Sequence, residues 1–105
     1  AARFDEAIAA VGRGASHLEA LPEAMRVTAN NLWTLADLRQ WEGEARLGRL
    51  AGLPAPARSA ERAAARARLD DALKLLDAVD ATGTERLRTG PRRAGIGKLL
   101  ARATP

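Results

Sequence analysis

The sequence predicts an all-α protein: an antiparallel helical hairpin or three-helix bundle with a basic, partly flexible C-terminal tail. Three observations carry that expectation. The 105 residues include 25 Ala and 15 Leu, against three Val, two Ile, two Trp, one Phe and no Tyr. Ala and Leu favour helix, whereas strands draw on β-branched and aromatic residues. Apolar residues recur at alternating spacings of three and four, the period of one helical face. Finally, Gly52-Leu53-Pro54-Ala55-Pro56 is a strong stop between two such stretches. A chain of this length forms one modest core. Ala side chains fill little volume, so the helices must approach closely or bury a face against a partner.

The first stripe is Phe4, Ile8, Val11, Ala15 and Leu18. Its phase continues through Pro22 to Met25, Ala29, Leu32 and Ala36. A turn normally resets the phase and brings polar loop residues, and Leu21-Pro22-Glu23 shows neither. The pattern therefore predicts one long helix over about 3–51, kinked near Pro22, or two helices meeting there with almost no loop. Within residues 22–51 a second apolar set appears, Val27, Leu38, Trp41 and Ala45. A helix this apolar around its circumference is central or lies at an interface. Residues 52–59 read as a loop. Ser59 is a good N-cap and Glu61 a first-turn acid for a helix over about 60–82. The stripe there is Ala65, Leu69, Ala72, Leu76 and Val79, and Gly83 suits the C-terminal cap. Residues 1–83 thus form the predicted helical domain.

Residues 84–105 differ in charge. They carry Arg86, Arg88, Arg92, Arg93, Lys98 and Arg102 against Glu85 alone, a net +5 against −1 for residues 1–83, so the whole positive excess of the chain lies in this segment. Pro91, Gly95 and Gly97 argue against a long stable helix, and leave room for a short one over Lys98 to Ala103. The segment is the predicted site of anion or nucleic-acid contact, through neutralisation of phosphates. No aromatic residue is interleaved to stack on bases.

Several chemistries find no residue set. The chain has no Cys, which removes disulfides, thiolate metal sites and cysteine nucleophiles. His17 is the sole histidine and falls just outside the first stripe, so it reads as a surface residue rather than a catalytic base. Gly90-Pro-Arg-Arg-Ala-Gly-Ile-Gly-Lys98 lacks the Gly required at Arg92 and the Ser or Thr required at Leu99 for a phosphate loop. Asp70, Asp71, Asp77 and Asp80 are interleaved with basic residues, as on a solvated face. No cofactor and no metal is expected. No apolar run reaches the roughly 18–20 residues that span a bilayer. The expected location is cytoplasmic, with secretion without a cleaved signal peptide as the alternative.

Two short patterns resemble known families. Trp41-Glu42-Gly43 resembles the Trp-x-Gly turn of WXG100-type proteins, which implies a small helical hairpin exported by type VII secretion. The chain departs from that family at Pro54 and Pro56, where the second arm should be unbroken, and in lacking Tyr. The long helix, the Gly52-to-Pro56 break and an Arg-bearing helix look similar to helical chorismate mutases. That implies a dicarboxylate clamped by arginines, here Arg39, Arg46, Arg49, Arg58 and Arg62. The function the sequence favours is a non-enzymatic protein–protein interaction module, with coiled-coil-like packing and self-association through Val27, Leu38, Trp41 and Ala45. Its expected partner is a second copy or another helical protein. A small helical enzyme with an Arg-lined pocket is the alternative; arginines converging on a cavity would support it.

Overall fold

The computed structural model describes residues 2–83 and 88–104. Among these residues there is no strand, and the helices run α1 (Ala2–Glu19), α2 (Glu23–Arg26), α3 (Ala29–Arg49), α4 (Ala55–Ala81) and α5 (Gly90–Ala103). The predicted all-α bundle is therefore what the chain forms. Its centre is an antiparallel hairpin of α3 and α4, the most extensively packed pair. α1 lies antiparallel on one flank of α3: Phe4 meets Gly48 and Gly14 meets Leu38. α5 closes the other flank, antiparallel to α4, with Arg93 near Asp77 and Asp80 and Arg66 bonded to Thr104.

The predicted kinked helix over 3–51 is instead three helices. α1 ends at Glu19, and Pro22 (φ −53°, ψ 146°) takes extended backbone ahead of α2. A second break follows at Val27-Thr28. Thr28 caps α3, its hydroxyl accepting from the Asn31 N–H at 3.4 Å and donating to the Met25 carbonyl at 3.0 Å. The Asn31 amide also donates to that carbonyl at 2.8 Å. The continuous apolar phase concealed these turns, because the chain reverses and then resumes on a face that again points inward.

The second correction concerns residues 52–59. The chain makes a 3-10 turn at Leu50–Gly52, and α4 then starts at Ala55 with Pro54 as its N-cap. Pro56 falls in the first turn, where no intrahelical N–H bond is required, so it tolerates helix rather than ending it. Ser59 is consequently inside α4, and Glu61 is in the second turn. The predicted α4 stripe does hold: Ala65, Leu69, Ala72, Leu76 and Val79 are all fully buried. Gly83 follows the helix with φ +74°, the left-handed conformation expected of a glycine cap.

The third correction concerns the basic segment. Residues 90–103 are helical and supply Ile96, Leu99 and Ala103 to the core. Pro91 fits the first turn, and burial of one face at i, i+3 and i+7 offsets the propensity cost of Gly95 and Gly97. Residues 84–87, which include Arg86, lie outside the described residues.

Close helix approach sets the register of the hairpin. A Cβ on Gly43 would lie 2.7 Å from Leu69 Cγ and 3.2 Å from the Ala65 carbonyl oxygen. Leu69 is fully buried and has no room to yield. Gly43→Ala is expected to lower stability by about 1–3 kcal/mol, the overpacking penalty exceeding the gain in helix propensity. Urea denaturation checks this; a stabilised variant would mean that α3 and α4 separate freely.

Candidate functional site

The most distinctive assembly in the protein is a polar spine among α1, α3 and α4, built on two carboxylates that the core encloses. Glu42 on α3 is 4% exposed and Glu61 on α4 is 7% exposed. Arg46 bridges them: its Nε donates to Glu42 at 3.0 Å and its Nη1 to Glu61 at 2.6 Å. Glu42 also accepts from Arg39 at 3.3 Å and from Arg68 Nε at 3.0 Å. Glu61 also accepts from Arg49, which reaches Asp5 on α1 at 2.7 Å. Arg39 pairs with Glu19 near the other end of α1, and Arg68 with Asp71 at 3.1 Å. A continuous chain of ion pairs therefore clasps both ends of α1 to the hairpin.

Helical geometry explains the convergence. Arg39 and Arg46 stand at i−3 and i+4 from Glu42, so both reach it along one face of α3. Glu61 lies four residues before Ala65, at a core position of the α4 stripe, opposite Arg46 and Arg49. Burial pushes the Glu61 carboxyl up, but the guanidiniums of Arg46 and Arg49 outweigh it and hold the group below the ordinary carboxylate value. Burial likewise works against the charge on Arg46, yet its bonds to Glu61 and Glu42 carry the net shift upward.

This arrangement bears directly on a dicarboxylate clamp. Arg39, Arg46 and Arg49 do converge, but on the chain's own carboxylates rather than on a cavity. Arg58 donates to the Leu53 carbonyl at 2.8 Å, and Arg62 lies at the opposite edge of α4 beside Arg66 and Ala103. No two of the five arginines present unpaired guanidiniums to a common hollow. Among the described residues no group of three or more His, Cys, Asp or Glu is placed to hold a metal ion, and no helix is long and apolar enough to cross a membrane. His17 is exposed.

The predicted interface set is divided. Trp41 is 49% and Val27 48% exposed, whereas Ala45 is buried and Leu38 half-buried against Gly14 of α1. Val27 and Trp41 stand beside different depressions. Val27 borders an open groove of about 410 Å³ floored by Leu32, Leu35 and Leu75, with Arg26, Arg39, Lys74, Glu19 and Asp71 around it. Trp41 borders a hollow of about 280 Å³ between α1 and α3, with Phe4, Ala7 and Ala45, and with Arg3 and Glu44 also lining it. Met25, on α2, is 52% exposed. Trp41-Glu42-Gly43 falls within α3, not in a turn.

The basic residues of the C-terminal segment are divided as well. Arg92 stacks over the Trp33 ring (5.5 Å to its centroid), donates to Gln40 at 3.0 Å and lies 2.8 Å from Asp37. That Asp37 oxygen is buried without a well-directed hydrogen bond, and burial raises the carboxyl's pKa despite the adjacent Arg92 charge. Arg93 pairs with Asp80 at 2.6 Å and Asp77 at 2.8 Å, while Thr89 donates to Asp80 at 2.9 Å. Bonds from Arg93 and Thr89 hold the Asp80 carboxyl below its ordinary value. Arg92 and Arg93 thus dock α5, whereas Arg88, Lys98 and Arg102 are exposed.

Glu42 and Glu61 are the residues that sequence reasoning missed. One signal was present in each case: Glu42 sits in the apolar sector of its helix between two arginines at helical spacing, and Glu61 continues the α4 stripe. No protein-family model, curated protein or solved structure matches this chain.

Proposed function

We propose that this chain is a non-enzymatic helical interaction module that associates with itself or another helical protein through exposed apolar surface. One observation carries the reading: the apolar side chains of Met25, Val27 and Trp41 stand about half exposed, and Val27 and Trp41 each border a largely apolar depression. Large side chains left in water beside a hollow are the usual mark of a docking surface. The enzyme reading loses support because Arg39, Arg46 and Arg49 are matched by internal carboxylates. The nucleic-acid reading loses support because Arg92 and Arg93 bind α3 and α4.

Two measurements test the proposal together. Sedimentation equilibrium across the micromolar range is expected to show reversible association. Millimolar dicarboxylates are expected to leave the melting temperature unchanged, since a ligand that binds the native state raises it. A saturable rise with dicarboxylate, on a chain that stays monomeric, would replace the interaction module with an anion-binding site.

A further inference from the structure

We propose that the α1–α3 face around Trp41 is a self-association surface, and that its occupant is a second copy of this chain related by two-fold symmetry. The proposal rests on the reading of the chain as an interaction module and assigns the surface and the partner.

The surface carries four complementary features within one patch. Trp41 projects from α3 as a large apolar knob, half in water. Beside it lies the hollow of about 280 Å³ formed with Phe4, Ala7 and Ala45. Two charges line that hollow, Arg3 from α1 and Glu44 from α3. They are opposite in sign, and neither is in an ion pair with another described residue; Arg3 rests over its own Phe4 ring at 5.9 Å. A strongly acidic or basic partner would satisfy one of these charges and repel the other. A second copy satisfies both.

Two-fold symmetry requires a patch to complement itself. A two-fold axis lying in the interface and crossing the line from Arg3 to Glu44 sets each Arg3 against Glu44 of the second copy. The same interface would take each half-exposed indole out of water, and desolvated aromatic side chains concentrate interface energy. Ala7 beside Trp41 allows close approach of the α1 helices.

The groove beside Val27 does not meet this condition. Its acids are already matched, Glu19 by Arg39 and Asp71 by Arg68. Arg26 and Lys74 remain without a carboxylate partner among the described residues, and both are positive. Two copies joined there would oppose like charges. Charge complementarity therefore selects the Trp41 face for self-association.

The test uses the full chain in sedimentation equilibrium, with circular dichroism melts to verify folding. Trp41→Ala is expected to raise the dimer dissociation constant by roughly 30-fold or more. Arg3→Glu and Glu44→Arg are each expected to weaken the dimer by roughly threefold or more, since each sets like charges together. The double variant carrying both changes is expected to recover wild-type association, because the swap recreates the pair across the two-fold. Neither Arg3 nor Glu44 is in an ion pair with another described residue, so the melts of the charge variants should change little, and Trp41→Ala, which also loses the buried half of the indole, is compared at a temperature where its melt shows it folded. Association indifferent to all the changes would overturn the surface and leave the module reading standing. Single variants that weaken without recovery in the double variant would overturn the two-fold pairing. A wild-type chain monomeric throughout would overturn both this proposal and self-association.

Discussion

Replacing Glu42 with Ala is expected to cost about 3 kcal/mol of folding stability, a large part of the roughly 5–15 kcal/mol available to a small domain. The carboxylate is almost fully enclosed and accepts from Arg39, Arg46 and Arg68. Its removal leaves three guanidiniums facing one another where one negative charge had joined them. Breaking a buried ion pair by deleting one partner typically costs about 3–5 kcal/mol. The lower end applies here, because the arginine side chains are 14%, 22% and 37% exposed and can partly rehydrate. Glu42→Gln preserves the shape and one acceptor oxygen, so it should fall between wild type and Glu42→Ala. Urea denaturation measures the difference. A loss under about 1 kcal/mol for Glu42→Ala would mean that the guanidiniums relax into solvent and that the spine contributes orientation without stability.

The spine also predicts the acid limb of the stability curve. The folded-state pKa of Glu61 is depressed, so its contribution is complete above the ordinary glutamate value of about 4.3 and is lost as the pH falls through the folded value. Asp5 and Asp80 are depressed too, by their bonds to Arg49 and to Arg93 and Thr89, and act in the same direction. Asp37 acts oppositely: burial raises it, so its protonated form favours the fold and offsets part of the loss. The urea midpoint should be flat from neutral pH to about 5 and fall below about 4, and Glu61→Gln should flatten that fall. A midpoint that rises on acidification would show that Asp37 outweighs the network.

Deleting residues 84–105 is expected to remove about 3–6 kcal/mol, enough to broaden or abolish the cooperative melt. Ile96 is fully buried, Leu99 nearly so, and Leu100 packs against the same cluster. Each large aliphatic side chain taken from water contributes about 1.5–3 kcal/mol. Deletion also exposes the α4 side chains that α5 covers and leaves Asp77 and Asp80 without Arg93. Ile96→Ala in the intact chain isolates the packing component, with an expected cost of about 2–5 kcal/mol. If the truncated chain melts as the full one does, α5 adds nothing to the core.

The part of this protein that the sequence determined by itself is the part governed by local periodicity. Ala- and Leu-rich composition specifies helix, the stripe from Ala65 to Val79 specifies which side of α4 is buried, and Gly83 specifies where it ends. Each follows from neighbours within a few residues along the chain. The sequence leaves a kink and a break at Pro22 as alternatives and gives no sign of the break at Thr28, because the apolar phase is the same on both sides of them, and phase does not record a change of direction. The docking of α5 escaped because its glycines lower local propensity, while the burial that compensates comes from distant α3 and α4. The spine lies furthest from sequence reasoning. Glu42 and Glu61 are compatible individually with a solvated helix face. Only the register of the α3–α4 hairpin, held by Gly43 against Leu69 and Ala65, brings Arg46 between them and makes their burial favourable. That register depends on close packing between residues more than twenty positions apart, and a one-dimensional pattern carries no information about which charges such packing will enclose.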